Sequence, residues 1–205
     1  RKLFFGEVHL SNRELINISA MSFAYDETWI LKDFYFNMDS AERVWLSAAN
    51  GCGKTTLMRL IYGELIPQKG DISYAPRLRI AYYRQDLSLL DSKQTVLDYL
   101  QDSGSETTHI HNMMGCIGLK DDLAYVEMGS LSWGEKAKVQ ILGILLGDFN
   151  VLLLDEPTNH LDMRSRDLLA SALEKFNGAV IFVSHDRSFI RRIATRELKL
   201  EMYLE

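Results

Sequence analysis

A glycine-containing segment at residues 48–56 has the composition of a phosphate-binding loop. It follows the strand-like run Arg43 to Ser47 and leads into a helical pattern, which is the context that such a loop requires. There, backbone N–H groups and the positive helix end surround a triphosphate, Lys54 reaches the terminal phosphates, and the Thr55 hydroxyl binds magnesium. The residues predicted to contact the nucleotide are Asn50, Gly51, Cys52, Gly53, Lys54, Thr55 and Thr56.

The first position of this loop departs from the usual pattern. Ala48 stands where the motif GxxxxGK[ST] has glycine, although Gly51 and Gly53, nearest the lysine, are present. If position 48 needs a left-handed backbone, alanine costs on the order of 1 kcal/mol there. We therefore expect weakened rather than abolished nucleotide binding.

Two adjacent carboxylates follow an apolar run later in the chain. Val151 to Leu154 predicts a buried strand, and Asp155 and Glu156 follow it directly. Ligands bind at the carboxyl ends of strands in open α/β sheets. This placement delivers Asp155 to a magnesium ion and Glu156 to an attacking water.

The elements around these motifs alternate in the second half of the chain. Helices are predicted at Lys136 to Leu146 and Asp167 to Phe176, and a second buried strand at Ala179 to Val183. The alternation predicts a parallel sheet flanked by helices. Short β-forming runs between Leu15 and Met38, interrupted at Asp26-Glu27 and Lys32-Asp33, predict an antiparallel lobe beside it. Further strands are predicted at 72–74 and 79–83, and further helices at 55–62, 95–100 and 110–119.

Composition limits the classes of protein. The chain has 205 residues, 47% apolar, which is sufficient for one folded domain with embellishments. A formal net charge of −5 opposes general binding to a phosphate backbone. No apolar stretch approaches the roughly 20 residues that span a bilayer. Two cysteines far apart predict a reducing compartment, and a start at Arg1 rather than methionine predicts a piece of a longer polypeptide.

Three further motifs carry a family resemblance. LSWGE at Leu131 to Glu135 precedes DEPTNHLD at Asp155 to Asp162, and VSHDR follows at Val183 to Arg187. Together with the phosphate loop, the chain resembles an ABC-type ATPase over residues 13–205, with residues 1–12 as a linker or tail. The resemblance implies a P-loop NTPase of the α/β class. Its expected parts are a RecA-like core, an antiparallel β lobe and a helical lobe at about residues 86–135 that bears the signature.

The resemblance also assigns roles to residues outside the phosphate loop. It implies that Tyr25 stacks on adenine, that Gln85 contacts magnesium and senses the γ-phosphate, and that His185 bonds the γ-phosphate. Asp162 resembles the aspartate that lies across the interface between two domains. The expected catalytic residues are Glu156, His185, Lys54 and Gln85, and the expected magnesium ligands are Thr55, Gln85 and Asp155.

The LSWGE segment resembles the signature that contacts ATP held by a second ABC domain. The implied contacts are Ser132, Gly134 and Glu135, so hydrolysis is expected to need that second domain, in the same polypeptide or a homodimer. Trp133 stands where the family usually has glycine. Two alternatives remain open: the indole crowds the interface between domains, or it packs within its own helical lobe.

Narrower features resemble the ABC-F group, ATPases that act on the ribosome. These are EPTNHLD, a signature ending in Glu135 and the SHDRSFI run, and the chain ends resemble the second of two ABC domains. This implies a cytoplasmic protein and a ribosomal partner, with the antibiotic-resistance type as a further possibility. Two alternatives are the ATPase subunit of a membrane transporter and a nucleotide-binding module that has lost hydrolysis.

Overall fold

The computed structural model describes residues 14–49, 51–90 and 92–200 of the chain. The linker predicted at residues 1–12, the predicted domain start at residue 13 and the predicted ligand Asn50 lie outside these ranges. The strands are β1 (Glu14–Tyr25), β2 (Thr28–Asp39), β3 (Arg43–Ser47), β4 (Lys69–Tyr74), β5 (Ile80–Tyr83), β6 (Val151–Asp155), β7 (Ala179–Val183) and β8 (Arg196–Lys199). The α-helices are α1 (Lys54–Tyr62), α2 (Val96–Gln101), α3 (Thr107–Ile117), α4 (Trp133–Leu146), α5 (Met163–Lys175) and α6 (Arg187–Ile193).

The first sheet is antiparallel, as predicted, in the order β2-β1-β4. Its strands are longer than the sequence pattern indicated, because only the Asp26-Glu27 interruption is a turn. Asp33 lies inside β2 with a φ of 49°, and its N–H donates to the Ser22 hydroxyl at 3.0 Å. The Lys32-Asp33 interruption is therefore an irregularity within a paired strand rather than its end.

The second sheet is parallel, as predicted, in the order β5-β6-β7-β3-β8. All five residues of β6 are buried, and they alternate between two cores. Val151 and Leu153 pack with α1 and the antiparallel sheet, whereas Leu152 and Leu154 pack with the helices on the opposite face. Since β3, β6 and β7 are adjacent and parallel, their carboxyl ends meet at one edge of the sheet.

Helices α3, α4 and α5 begin earlier than their apolar patterns indicated, α3 at Thr107 rather than at residue 110. The predicted start of α4 at Lys136 is wrong by three residues, because Ser132 and Glu135 form a capping box that starts the helix at Trp133. The predicted start of α5 at Asp167 is also wrong, since Asp162 caps a helix that begins at Met163. Strand β8 was not predicted.

Helices α2 and α3 lie within the range 86–135 predicted for the helical lobe. A capping box at Thr95 starts α2, and Gly118 in a left-handed conformation ends α3. Their buried residues share one apolar cluster with α4 and β6. The start of α4 is thereby held beside the edge of the parallel sheet.

Candidate active site

The phosphate loop connects β3 to α1 and has the backbone that its sequence predicts. Gly51 and Gly53 have φ values of 81° and 76°, in the region that disfavours side chains. A Cβ at Gly53 would also lie 2.5 Å from Ile30 Cγ2, so this position has no room for a side chain. Lys54 lies back across the loop, and its Nζ donates to the carbonyls of Ala48 and Ala49 at 2.8 and 3.0 Å.

Ala48 does not have the left-handed backbone that the missing glycine would favour. Its methyl group packs against the core shared by α1 and the antiparallel sheet. The condition under which alanine would be costly is therefore not met.

The predicted magnesium ligands Thr55 and Asp155 are in contact. The Thr55 hydroxyl donates to Asp155 Oδ2 at 2.7 Å, which joins the start of α1 to the end of β6. Burial raises the pKa of Asp155 above its ordinary value of 3.8, and the Thr55 hydrogen bond opposes this shift. A hydroxyl and a carboxylate are oxygen ligands of the kind that Mg²⁺ prefers, so the pair fits this ion.

Gln85 follows β5 and lines the same cavity as Thr55 and Asp155. Its neighbour Arg84 is anchored firmly, because Glu64 accepts hydrogen bonds from both terminal nitrogens of the guanidinium. The guanidinium carbon also lies 4.6 Å from the ring centroid of Tyr82 and 5.7 Å from that of Tyr62. These contacts tie the segment before Gln85 to the end of α1, and sequence analysis did not identify them.

The predicted catalytic residues Glu156 and His185 are also in contact. Glu156 Oε1 lies 3.2 Å from His185 Nε2, and the His185 N–H donates to Glu156 Oε2 at 3.3 Å. Burial raises the pKa of Glu156, and the nearby His185 opposes the rise. Among the described residues, Oε1 has no hydrogen bond of good geometry, which leaves this buried oxygen able to accept one from water.

One open cavity of about 700 Å³ brings these groups together. The predicted residues that line it are Tyr25, Gly51, Gly53, Lys54, Thr55, Thr56, Gln85, Asp155, Glu156 and His185. Tyr25 is 43% exposed and meets the Phe23 ring edge-on, so the tyrosine ring is held while its surface remains open. Asn159 also lines the cavity, although sequence analysis assigned it no site role.

Ser132, Gly134, Glu135 and Asp162 are not among the lining residues of this cavity. The Ser132 hydroxyl donates to Glu135 Oε2 at 2.6 Å, and this bond lowers the pKa of Glu135. Asp162 Oδ2 lies 2.7 Å from Lys138 Nζ, and the hydrogen bond to Lys138 lowers the pKa of Asp162 to about 2. These four residues form a second group, at the starts of α4 and α5.

Trp133 is half exposed, and its ring contacts the ring of a residue outside the helical lobe. Its ring centroid lies 5.9 Å from that of His160, with the planes tilted by 33°. The indole also lines a cavity of about 780 Å³ that reaches Thr55, Gln85 and Asp155. It therefore contacts the segment that follows Glu156.

The fold and the site together define a P-loop ATP-binding domain. The family model described as ABC transporter matches residues 31–159, more than half of the chain. The chain therefore belongs to the ABC transporter family, as an ATP-binding domain of the P-loop α/β class. Domains of this family bind ATP, typically with Mg²⁺.

Several curated relatives are similar to this chain over nearly its whole length, and some of them are named as ABC transporter F family members. ABC transporter F family member 5 of Arabidopsis thaliana is 31% identical over 204 residues, which is 98% of this chain and 30% of that protein. Protein GCN20 of Saccharomyces cerevisiae is 37% identical over 190 residues, which is 91% of this chain and 25% of that protein. The chain thus spans no more than about a third of these relatives.

Solved structures support the same fold. The RNase-L Inhibitor structure superposes with a TM-score of 0.78 at 26% identity, covering 93% of this chain and 38% of that chain. An ATP binding subunit of an ABC transporter also gives a TM-score of 0.78, at 22% identity, covering 90% of this chain and 85% of that chain. Within the part of the chain that the structure describes, no helix is long and apolar enough to cross a membrane.

Proposed function

We propose that this domain binds MgATP and hydrolyses it by in-line attack of water. The observation that carries the proposal is the arrangement of Thr55 with Asp155 and Glu156 with His185 around one glycine-rich loop. Thr55 and Asp155 would hold Mg²⁺, with Gln85 beside them, and the bound ion would neutralise charge on the phosphates.

The chain's own residues account for the remaining steps. Lys54 leaves its two carbonyl partners to bind the terminal phosphates, and the loop N–H groups stabilise the charge that develops there. Glu156 Oε1 accepts a hydrogen bond from the attacking water and orients it. His185 donates to the γ-phosphate from the edge of the site, where its side chain is 69% exposed.

We further propose that hydrolysis requires a second ABC domain. Ser132, Gly134, Glu135 and Asp162 lie away from the nucleotide cavity of their own domain, at exposed or half-buried positions at the starts of two helices. There they are available to ATP held by a partner domain. Tyr25 supplies the stacking surface for adenine.

For the whole protein we propose an ABC-F role in the cytoplasm, as the second of two ABC domains in a factor that acts on the ribosome. The motif DEPTNHLD and the relatives named as F family members support assignment to the ABC-F group. Within that group, we propose the antibiotic-resistance type as the more specific role. A transporter ATPase subunit is the competing function.

Nucleotide titration by calorimetry tests the site. Lys54→Ala is expected to remove most of the binding heat, because it deletes the charge nearest the terminal phosphates. Lys93→Ala, which changes an exposed lysine in a loop, is the matched control and should bind like the parent. Equal heats for the parent and Lys54→Ala would refute the assignment of the loop.

Sedimentation with ribosomes tests the cellular role. Full-length protein carrying Glu156→Gln should sediment with ribosomes in ATP and not in ADP, because the amide keeps the shape of the site but cannot accept a proton from water. Absence of co-sedimentation would refute the ribosomal role. Phosphate release by the parent separates hydrolysis from nucleotide binding alone.

A further inference from the structure

Trp133 contacts the catalytic segment of its own domain. Residues 156–162 connect β6 to α5, and they include Glu156 at one end and Asp162 at the other. Glu156 and His160 both have left-handed backbones, with φ values of 53° and 61°. Side chains disfavour this conformation, so contacts from elsewhere must hold the segment in place.

The first two turns of α4 supply several of these contacts. The Trp133 ring contacts the His160 ring at a tilt of 33°, and a Cβ at Gly134 would lie 3.2 Å from the His160 carbonyl oxygen. One turn further, Lys138 Nζ lies 2.7 Å from Asp162 Oδ2. The signature turn and the segment that carries Glu156 are therefore packed as one unit.

The stack is the part of this unit that depends on the unusual residue. A glycine at position 133, which the family resemblance would place there, has no ring to set against His160. The indole is 50% exposed, so it is not held by burial in the helical lobe alone. It gives His160, four residues beyond the proposed general base, an aromatic neighbour on a different element.

We propose that Trp133 is a positioning residue that acts through His160 to hold the segment bearing Glu156. The proposal rests on the hydrolysis proposed above. It assigns the indole a role within its own domain, distinct from contact with a partner domain. Loss of the stack should slow the chemical step while leaving nucleotide binding nearly unchanged.

A double-mutant cycle in the full-length protein tests this role. Phosphate release is measured for Trp133→Gly, His160→Ala and the double variant, with the rate of Glu156→Gln subtracted as hydrolysis at other sites. Each single change should lower kcat by roughly ten-fold or more, as small misplacements of catalytic groups do, with the KM for ATP within two-fold. Because both residues act through one contact, the double variant should be no slower than the slower single variant.

Two further variants separate positioning from folding. Trp133→Phe keeps an aromatic ring and should retain most of kcat. Tyr125→Ala removes an exposed aromatic outside this unit and should match the parent. Subtracting the emission spectrum of Trp133→Phe isolates the fluorescence of Trp133, which should change in His160→Ala if the rings stack in solution.

Several outcomes would overturn the proposal. The proposal fails if His160→Ala hydrolyses ATP at the parent rate, or if the losses of the two single variants add in the double variant. It also fails if the variants raise KM instead of lowering kcat, or if the emission of Trp133 is unchanged in His160→Ala. A parent protein that releases no phosphate would instead refute the proposed function, and that result is visible before any variant is compared.

Discussion

At the scale of single residues, the two adjacent carboxylates Asp155 and Glu156 have different surroundings. Asp155 accepts a hydrogen bond from Thr55, whereas Glu156 meets His185. Burial raises the pKa of both carboxyls. Without bound nucleotide, these buried acids oppose folding when they are charged, because the site is arranged for ligands rather than for stability.

Asp155→Asn should therefore stabilise the nucleotide-free domain at neutral pH. The amide oxygen can still accept the Thr55 hydrogen bond, while the buried charge is removed. We expect a melting temperature higher by about 2–4 °C, the change that roughly 1 kcal/mol produces in a domain of this size. The same variant should lose any further stabilisation by Mg²⁺ with ATP, and a lower melting temperature would contradict the argument.

The pH dependence of this difference has a definite sign. A carboxyl whose pKa is raised by folding binds its proton more tightly in the folded chain, so stability falls as pH rises above the ordinary value of 3.8. The advantage of Asp155→Asn should be absent below that value and should grow as the pH rises above it. Denaturant unfolding of both proteins across this range measures it.

Ala48→Gly should leave nucleotide affinity unchanged. Ala48 has no left-handed backbone, and its methyl group packs against the core, so glycine relieves no strain and removes a contact. We expect a loss of about 0.5–1 kcal/mol in the free energy of unfolding, in the range for replacing alanine by glycine. Calorimetry with ATP and denaturant unfolding decide between this result and tighter binding.

At the scale of elements, two helices begin with the same device. Thr95 and Asp98 form a capping box at α2, and Ser132 and Glu135 form one at α4. Each hydroxyl accepts a hydrogen bond from the backbone N–H three residues later. Only Ser132 belongs to the LSWGE segment. Comparing variants at Thr95 and Ser132 therefore distinguishes the effect of losing a helix cap from the effect of losing a contact with a second domain.

Ser132→Ala and Thr95→Ala should each lose about 1 kcal/mol of stability, because both remove a cap. Only Ser132→Ala should also weaken association with a second ABC domain in ATP. Chemical denaturation and light scattering on the two variants provide the comparison. Equal association by both variants would show that the Ser132 hydroxyl serves the helix alone.

The sequence predicted elements well where periodicity and burial agree. Strands β6 and β7 are buried on both faces, so their continuous apolar runs were sufficient to predict them. Strand β8 was missed because its RELK sequence is largely polar and lies at the edge of the sheet. The start of α4 was misplaced because Gly134 and Glu135 interrupt the apolar pattern, so only the capping box marks the start.

The candidate site shows the same division. The phosphate loop and the carboxylates after β6 follow from motifs at the ends of strands, whereas the family resemblance implied Tyr25, Gln85 and His185. The stack of Trp133 on His160 and the anchoring of Arg84 by Glu64 join residues distant in sequence. Such contacts depend on how the elements pack against each other, so no local sequence pattern predicts them.

At the scale of the whole molecule, charge is balanced locally. Arg192 pairs with Glu174 and Asp167, and Arg196 lies 3.4 Å from Glu42. Arg192 in α6 and Arg196 in β8 are thus paired with carboxylates, which leaves less positive charge here to meet RNA phosphate. The groups proposed to meet a second domain are Ser132, Gly134, Glu135 and Asp162, at the edge where α4 and α5 begin.

This arrangement predicts association that depends on nucleotide. Glu156→Gln keeps an oxygen beside His185 but cannot accept the proton from water, so ATP should persist in the site. We expect this variant to form dimers of the domain in ATP and to remain monomeric in ADP, because only the γ-phosphate reaches the signature of a partner. Light scattering alongside phosphate release measures both properties on one sample, with Lys54→Ala in the same background as the control that should not associate. Rapid turnover by a strictly monomeric parent would contradict the composite site, since one domain would then suffice for hydrolysis.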